Sequence, residues 1–329
     1  THQPYPSAYL FPSFNETFTD RTGTGTKLDW RVNDQHRLLA GVDANLTKIT
    51  STSLFTSNGV FADKQETNFS SFIQDEWKIA KKLTALGSVR YDWSSINADR
   101  VGSTVILHPS VDAVSPRVAL NYKAMDDMSF RGSWNKSFRA PSVMERFITD
   151  AGGYGSVQPN GALDKETLTS YELGAYKQFG ERVSLDVAGF INDYDNLIES
   201  VQIGGSVQSP IFQYKNLTKA RIWGIEANLN VRPLDAVAVN LAYTYMNAKN
   251  ESYVAGNATV DANPDPTGLP YRPEHTASAS VNWKATKGWD IISNARYVGK
   301  YKNISSNTNP QGIGYPGNFV LFNLGTKYQ

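Results

Sequence analysis

Apolar and polar residues alternate along many strand-length segments of this chain, and the connections between these segments come in two lengths. The segment 183–191 reads VSLDVAGFI, with Val, Leu, Val and Ile on one parity. Successive side chains of a β-strand point to opposite faces, so each such segment has one apolar face and one small or polar face. Tight turns that alternate with long loops are typical of a transmembrane β-barrel, with the turns on the periplasmic side and the loops outside.

The pattern predicts about thirteen antiparallel strands and no helix of useful length. The strands are expected near 22–32, 36–49, 66–79, 82–96, 114–123, 127–138, 167–179, 182–198, 211–232, 235–249, 272–284, 288–302 and 317–328. Six tight turns rich in Asn, Asp, Gly and Pro are expected at 33–36, 80–82, 124–127, 180–181, 232–235 and 286–288. Six long loops are expected at 50–65, 97–113, 139–166, 199–210, 250–271 and 303–316.

Composition excludes several other classes of protein. No apolar run approaches the 18 residues of a membrane-spanning helix, and the mean hydropathy is −0.41. Aromatic residues make up 12% of the chain, which suits the aromatic girdles of a barrel. The chain has no cysteine, so no disulfide framework is expected, and a net charge of +1 gives no reason to expect nucleic acid as a partner.

The alternation sorts side chains into a lipid-facing set and a lumen-facing set. Charges confined to one parity indicate a polar lumen, because Arg or Lys on the lipid face costs about 2–4 kcal/mol near the bilayer midplane. Asp75 and Glu76 are adjacent, so one of them must break the rule or lie near the rim. The lipid-facing candidates are Val89, Tyr91, Trp93, Val118, Leu120, Leu173, Trp223, Ile225, Leu229, Val281 and Trp283. The lumen-facing polar candidates are Arg90, Asp92, Arg117, Arg131, Glu172, Asp186 and Glu226.

Motifs for catalysis or cofactors are weak or absent, so the chain is not expected to be an enzyme or to hold a cofactor or metal. The run 312–317 fits G-x-G-x-x-G by letter, but it contains Pro316 and precedes a strand rather than a helix. The four His residues have no ligand spacing. The segment 261–265 has oxygen ligands at alternate positions, as calcium loops do, but Pro266 stands where such a loop needs Gly. A solvated polar loop and a weak calcium site both stay open there.

Several motifs occur in an order that resembles the TonB-dependent outer-membrane receptors. The stretch 133–142 reads SWNKSFRAPS and is similar to the strand and turn that lead into a long external loop of that family. The stretch 163–174, LDKETLTSYELG, resembles the strand that follows this loop, and 222–227, IWGIEA, resembles a later strand. Residues 270–275, PYRPEH, and 72–77, FIQDEW, resemble two further strands.

The resemblance implies a fold, a location and a transport function. It implies an antiparallel transmembrane barrel in the outer membrane of a Gram-negative bacterium, with outer-membrane lipid around it. Members of the family have 22 strands, a plug domain inside the barrel and a short TonB box that contacts a TonB-type energy-coupling protein. The plug and the TonB box are missing here, so residues 1–329 are expected to form one incomplete barrel domain. Strand direction would fit seven strands before Thr1 and two after Gln329.

The resemblance also implies a ligand, taken up at the external loops. A ferric siderophore is the first expectation, and cobalamin, haem or a carbohydrate are alternatives within the family. A passive porin-like channel and a structural or adhesive barrel are the alternatives from other classes. Arginine and aromatic side chains suit an anionic, partly aromatic chelate, by charge pairing and stacking. The ligand-binding candidates in the loop 139–166 are Arg139, Arg146, Phe147 and Tyr154, although Arg139 could belong to the turn and the aromatics to a girdle.

Overall fold

The structure is a computed structural model of the chain, and it contains almost only β-strands. It describes residues 15–53, 61–97, 109–148, 156–205, 210–252, 267–269, 271–301, 303–304, 313–314 and 317–328. None of the helices in these ranges has both the length and the apolar character needed to cross a membrane.

Thirteen long strands follow one another around a single antiparallel sheet, each paired with its neighbour in the chain. They are β1 (Asn15–Arg31), β2 (His36–Ser53), β3 (Phe61–Ala80), β4 (Leu83–Asn97), β5 (Ser110–Met125), β6 (Met128–Arg139), β8 (Glu166–Phe179), β9 (Val183–Gly205), β10 (Pro210–Leu234), β11 (Val237–Asn250), β12 (His275–Thr286), β13 (Trp289–Val298) and β16 (Phe319–Tyr328). Between β6 and β8 lie the helix α1 (Val143–Phe147) and the short strand β7 (Ser156–Gln158). β14 (Asn303–Ile304) and β15 (Ile313–Gly314) form a separate small hairpin.

The thirteen predicted strands and the six tight turns are confirmed, and they give the sheet two different ends. The tight connections lie at one end, here called the short-turn end, and the longer ones at the other, the long-loop end. Gly180 and Gly288 take positive φ angles of 59° and 86° in two tight turns, a conformation that glycine adopts without strain. The predicted loop 199–210 is wrong in part, because β9 continues to Gly205 and β10 begins at Pro210. The backbone pairing of β9 with β10 therefore continues further toward the long-loop end than the pairing of β8 with β9.

The strand register places the two predicted sets of side chains on opposite faces of the sheet. Val89 pairs with Ile73, and Leu173 pairs with Gly132, on the face here called the outer face. Leu173 is 75% exposed, and large apolar side chains on many other strands of this face are also exposed. A face that exposes so many large apolar groups is suited to lipid and not to water. Arg90, Glu172 and Glu226 lie on the opposite, inner face.

Two belts of aromatic side chains border the apolar band of the outer face. Leu83 pairs with Tyr122 in the lower belt, and Trp93, ten residues further along β4, lies in the upper belt. Ten residues rise about 33 Å along a strand. A strand tilt of 35–45° reduces this to about 25 Å, the height of the apolar band in outer-membrane barrels. Exposed residues of the lower belt are Trp30, Trp77, Tyr122, Phe130, Phe179, Trp283 and Trp289, and those of the upper belt include Phe69, Trp93, Tyr171, Trp223 and Tyr243.

Of the two adjacent acids of β3, Asp75 lies near the rim of the barrel, which is one of the two arrangements expected from the sequence. Asp75 has the outer-face parity but lies near the short-turn end, where its Oδ2 is 2.7 Å from Nδ1 of His36. The His36 ring stacks on Trp77 at 5.6 Å between centroids. Asp75 is thus a rim residue with a polar partner, so its carboxylate avoids the centre of the apolar band.

The inner face is concave, because one short helix touches strands from distant parts of the sheet. Phe147 of α1 is fully buried in a cluster with Ile96 of β4. Ile49 of β2 and Tyr214 of β10 pack against the same cluster. Since β2 and β10 are many strands apart along the sheet, the sheet must curl around α1. This curvature makes the inner face the wall of a lumen.

Candidate functional site

The seven polar residues predicted for the lumen all lie on the inner face. Residues that pair across neighbouring strands lie on the same face of the sheet. Arg90 lies opposite Ser115 of β5, and Glu172 of β8 lies opposite Ser133 of β6. Glu226 of β10 lies on the same face, opposite Ala188 of β9. These seven polar side chains are therefore on the wall of the lumen.

Arg131, the fourth residue of β6, is the centre of a charged cluster on the wall toward the short-turn end. Its Nε donates to Glu172 at 2.9 Å, and its Nη1 and Nη2 donate to both oxygens of Asp186 at 2.8 Å. Gly174 lies beneath the guanidinium, and a Cβ at that position would come within 2.6 Å of Cζ of Arg131. The glycine therefore leaves the space in which one arginine can bridge two carboxylates.

The other polar wall residues are arranged more openly. The Arg90 guanidinium donates to Asp92 on the same strand, with Nε at 2.9 Å from both carboxylate oxygens. Arg117 and Glu226 are exposed on the inner face. The arrangement offers both signs of charge to whatever fills the lumen.

At the long-loop end, the chain leaves β6 and forms α1 over the lumen. Ser142 is the N-cap of α1 and accepts a hydrogen bond from the backbone N–H of Glu145, while the Glu145 side chain accepts from the Ser142 backbone N–H at 2.7 Å. This capping box satisfies two backbone donors that a helix start leaves unpaired. It allows a helix of only five residues to form.

Arg139, the last residue of β6, holds two carboxylates at once. Its Nε and Nη2 donate to Glu166 at 2.6 and 2.7 Å, and its Nη1 and Nη2 donate to Glu145 at 2.8 and 3.0 Å. Glu166 also accepts the backbone N–H of Ile198 in β9 at 2.7 Å. Arg139 therefore ties α1 to the wall, and its guanidinium is already paired with two negative charges.

Arg146 and Phe147 point into the structure rather than into open solvent. Arg146 is 2% exposed and its Nη1 donates to the carbonyl of Gly161 at 2.6 Å. Within the described residues, Nε of Arg146 has no hydrogen-bond acceptor. Phe147 is 0% exposed, and the ammonium of Lys64 lies 5.0 Å from the centre of its ring. Tyr154, the fourth predicted ligand residue, lies outside the described residues.

The ionisable groups of α1 have shifted pKa values with different causes. Burial alone would raise the pKa of Glu145, but hydrogen bonds from Arg139 and Ser142 outweigh it and lower that pKa below its ordinary value. Burial lowers the pKa of Arg146, although Asp164 and Glu145 oppose this effect. The charged form of Glu145 is thus stabilised in this conformation, whereas burial destabilises the charged form of Arg146.

The chain after α1 is held by contacts to β10 on the far side of the lumen and to β5 on the near side. β7 pairs in parallel with Ile211–Gln213 of β10, and Asn160 donates its Nδ2 to the carbonyl of Tyr214 at 2.8 Å. Asn216 and Asp164 exchange two hydrogen bonds of 2.8 and 2.9 Å. Lys165 donates to the carbonyl of Asp112 in β5. Residues 140–148 and 156–165, here called the inner cap, therefore reach across the mouth between β3–β5 and β10.

Three residues of this site were not among the sequence candidates. The pattern Ser142-x-x-Glu145 is a recognisable capping signal, so α1 and Glu145 could have been predicted. Glu166 and Lys64 carry no local signal, because their partners Arg139 and Phe147 come from distant strands or loops. Only the tertiary fold brings these groups together.

The described residues contain no group of three or more His, Cys, Asp or Glu side chains that could hold a metal. The possible calcium segment 261–265 lies outside the described residues, so it stays a prediction.

The fold, the two faces of the sheet and the two aromatic belts together define the class of protein to which the chain belongs. A long antiparallel sheet with an apolar outer face, two aromatic belts and a polar concave wall is an outer-membrane β-barrel. The family model described as "TonB dependent receptor-like, beta-barrel" matches residues 1–329, and the chain belongs to this family. Its place is the outer membrane.

Curated relatives are similar over most of this chain. The iron-regulated outer membrane virulence protein of Vibrio cholerae serotype O1 is 26% identical over 283 residues, covering 81% of this chain and 39% of that protein. The ferrienterobactin receptor of Escherichia coli K12 is 26% identical over 247 residues, covering 70% of this chain and 30% of that receptor. The heme/hemopexin utilization protein C of Haemophilus influenzae is 27% identical over 167 residues, covering 44% and 23%. The chain spans about a third of the length of these relatives.

Solved structures agree on the fold. The copper transporter OprC superposes with a TM-score of 0.76 at 18% identity, covering 98% of this chain and 50% of that one. The ferric enterobactin receptor PfeA of Pseudomonas aeruginosa superposes with a TM-score of 0.68 at 18% identity, covering 97% and 47%. The named members are receptors and transporters rather than enzymes.

Proposed function

We propose that this chain is the greater part of the barrel of an active-transport receptor that binds and imports a scarce nutrient, most naturally a ferric siderophore. The observation that carries the proposal is the inner cap, which lies over a polar lumen at the long-loop end. A ligand arriving from outside meets this cap first. Two relatives whose names include iron regulation and ferrienterobactin support an iron chelate as the cargo.

The four predicted ligand residues enter this proposal in different ways. Arg139 is partly exposed and is the one whose guanidinium a ligand could reach directly, although Glu145 and Glu166 already neutralise it. Arg146 and Phe147 are enclosed, so they could contact a ligand only after α1 moves. Their role, and that of Tyr154, stays a prediction.

Energy coupling is the second part of the proposal. A polar wall with both signs of charge suits a folded plug segment inside the barrel, through which a TonB-type protein would act. A passive channel would need no such partner. Uptake that continues in cells without the coupling protein would therefore favour the porin-like alternative.

Haem is the second candidate ligand, because a heme/hemopexin utilization protein is among the relatives. Cobalamin and carbohydrates stay open as alternatives with no specific support among the contacts described.

The test is growth rescue by the intact receptor under iron limitation. The full-length gene would be expressed in a strain that lacks its own catecholate and haem receptors, with and without the coupling protein. We expect ferric enterobactin to restore growth only when the coupling protein is present, with haemin, cobalamin and maltodextrin as parallel probes. If none of the four is bound or taken up, the receptor proposal is wrong.

A further inference from the structure

An apolar groove follows β12 on the outer face of the sheet. Ala277 and Ala279 of β12 line it, together with Leu241 of β11. The strand register sets Tyr243 of β11 and Tyr297 of β13 on either side of Ala277, so the two rings form the walls of the groove. Its volume of about 380 Å³ is enough for a chain of methylene groups rather than a single one. A lipid chain in this groove contacts protein on three sides, which gives it more dispersion contacts than the rest of the outer face offers.

An aromatic cluster with polar tips borders the groove on the side of the long-loop end. His275 pairs in register with Tyr245, and the centres of their rings are 5.3 Å apart. Nδ1 of His275 is 2.8 Å from Oη of Tyr243. Trp223 meets Tyr245 edge to face at 5.7 Å. Aromatic side chains with a polar tip are favoured where hydrocarbon meets the head groups of a bilayer, so the cluster marks the level at which a chain in the groove joins its head group.

A lysine lies beyond this cluster, on the strand that forms one wall of the groove. Trp223 pairs in register with Asn247, and Arg221 pairs with Lys249, two residues further toward the long-loop end. Two residues rise about 7 Å along a strand, which is the depth of a head-group layer. Lys249 is exposed on the outer face at this level.

The neighbouring cation, Arg221, already has carboxylate partners, whereas Lys249 has none. Arg221 donates to both oxygens of Asp193 at 2.6 and 3.1 Å, and Glu251 approaches it at 3.6 Å. In the described part of the chain, the ammonium of Lys249 forms no ion pair. An unpaired ammonium is free to bind an anionic group, and phosphate is the anionic group that most membrane lipids carry.

We propose that the groove and Lys249 together bind one phosphate-bearing lipid of the outer leaflet. An acyl chain lies in the groove along β12, the head group lies against His275 and Tyr243, and a phosphate oxygen accepts a hydrogen bond from Lys249. A single lipid reaches all three parts, because they lie on one face of the adjacent strands β11 and β12. The site is continuous with the lipid-facing surface of the barrel and does not face the lumen. It is therefore independent of which nutrient the receptor imports.

Binding of lipid A to the full-length receptor tests the charged part of the site. Lipid A is a phosphate-bearing lipid of the outer leaflet, and lipid A from which the phosphates have been removed is a probe with the same acyl chains. Native mass spectrometry of the receptor in a neutral detergent measures the affinity for each form. We expect the wild type to bind the phosphorylated form about tenfold more tightly, because its phosphate gains a charge-assisted hydrogen bond. Lys249→Gln should bind the two forms about equally.

The matched control for the charge is Lys136→Gln. Lys136 is exposed on the outer face of β6 and lies in the same register row as Lys249, which crosses β8, β9 and β10, but it is remote from the groove. This variant should bind both forms as the wild type does. The proposal is overturned if the wild type binds neither form, if Lys249→Gln keeps the preference for phosphate, or if Lys136→Gln loses it to the same extent.

Filling the groove tests its apolar part. Ala279→Phe places a ring where the acyl chain lies, on a surface that faces lipid and therefore tolerates it. We expect the affinity for both forms of lipid A to fall about fivefold, because the chain loses its contacts with the groove. The control is Ala44→Phe, which adds the same ring to the exposed outer face of β2 and should change neither affinity. Equal affinities of Ala279→Phe and the wild type would overturn the proposal.

A second copy of the chain is the other occupant that an apolar groove on this face could take. The same mass spectra distinguish the two, because they record the oligomeric state together with the bound lipid. A wild-type monomer that retains lipid A, and loses it on Ala279→Phe, supports the lipid site. Wild-type dimers without lipid that Ala279→Phe dissociates would assign the groove to a contact between barrels instead. Since none of these measurements involves uptake, a failure of the proposed transport function leaves their outcome unchanged.

Discussion

Phe147 shows how strongly a single residue of the inner cap depends on its surroundings. Its ring is fully buried between Val143, Ile96 and Ile148, where the sequence alone suggested a ligand contact or a girdle position. The sequence could not show this, because the wall residue Ile96 is about fifty positions away in the chain. Burial of this kind makes the side chain a packing element of the inner cap.

Truncation of this ring should loosen the cap strongly. Removing a buried Phe side chain costs about 3–5 kcal/mol, through lost apolar burial and the cavity left behind. We expect Phe147→Ala to lower the free energy of opening of α1 by most of this amount, measured by hydrogen exchange at Ile148. The matched control is Met144→Ala, since Met144 lies on the same helix and is 52% exposed, and its effect should stay within about 0.5 kcal/mol. Equal effects of the two substitutions would show that Phe147 does not hold the cap.

The ionisation of Glu145 should make the cap sensitive to acid. The pKa of Glu145 is lowered from its ordinary value of 4.5, so its stabilising effect is complete above pH 4.5 and is lost as the pH falls through the lower, folded value. A nitroxide spin label on Met144→Cys should therefore keep its mobility between pH 7 and 5 and become more mobile at lower pH. In Glu145→Gln the mobility should be high throughout and flat with pH. A profile identical in both proteins would assign the acid response to another group.

At the scale of single elements, long strands could be predicted from the sequence and short elements could not. The alternation of β9 and β10 fixes two faces over many residues, and the register in the sheet follows from it. β7 has only three residues and exists because the upper edge of β10 is open to it there. α1 is the intermediate case, since its capping box is visible in the sequence but its burial is not.

The two faces of β8 and β11 should respond very differently to the same charge. Leu173 lies in the middle of β8 on the outer face and is 75% exposed. Leu173→Arg should decrease the stability of the protein folded in lipid vesicles by about 2–4 kcal/mol, because the charge then faces hydrocarbon. The control is Thr244→Arg, which places the same charge on the inner face opposite Glu226 and should cost far less. Similar costs at both positions would contradict the assignment of the outer face to lipid.

At the scale of the whole molecule, the alternation that defines the strands also defines which end faces which compartment. The tight turns, such as Asp126–Asp127, lie at one end of every hairpin and the longer connections at the other. This asymmetry could be predicted from sequence spacing alone. The charge network around Arg139 could not, because it joins a strand end, a helix and a second strand that only the curvature of the sheet brings together.

The orientation in the membrane gives the last prediction. Outer-membrane barrels place their short turns in the periplasm and their longer loops outside. An epitope inserted after Glu251 should therefore be labelled by antibody on intact cells, whereas the same epitope inserted between Asp126 and Asp127 should be labelled only after the outer membrane is permeabilised. Both tags should be labelled equally in permeabilised cells, which controls for expression. Labelling of the 126–127 tag on intact cells would reverse the orientation. It would also place the inner cap on the periplasmic side, away from a ligand that arrives from outside.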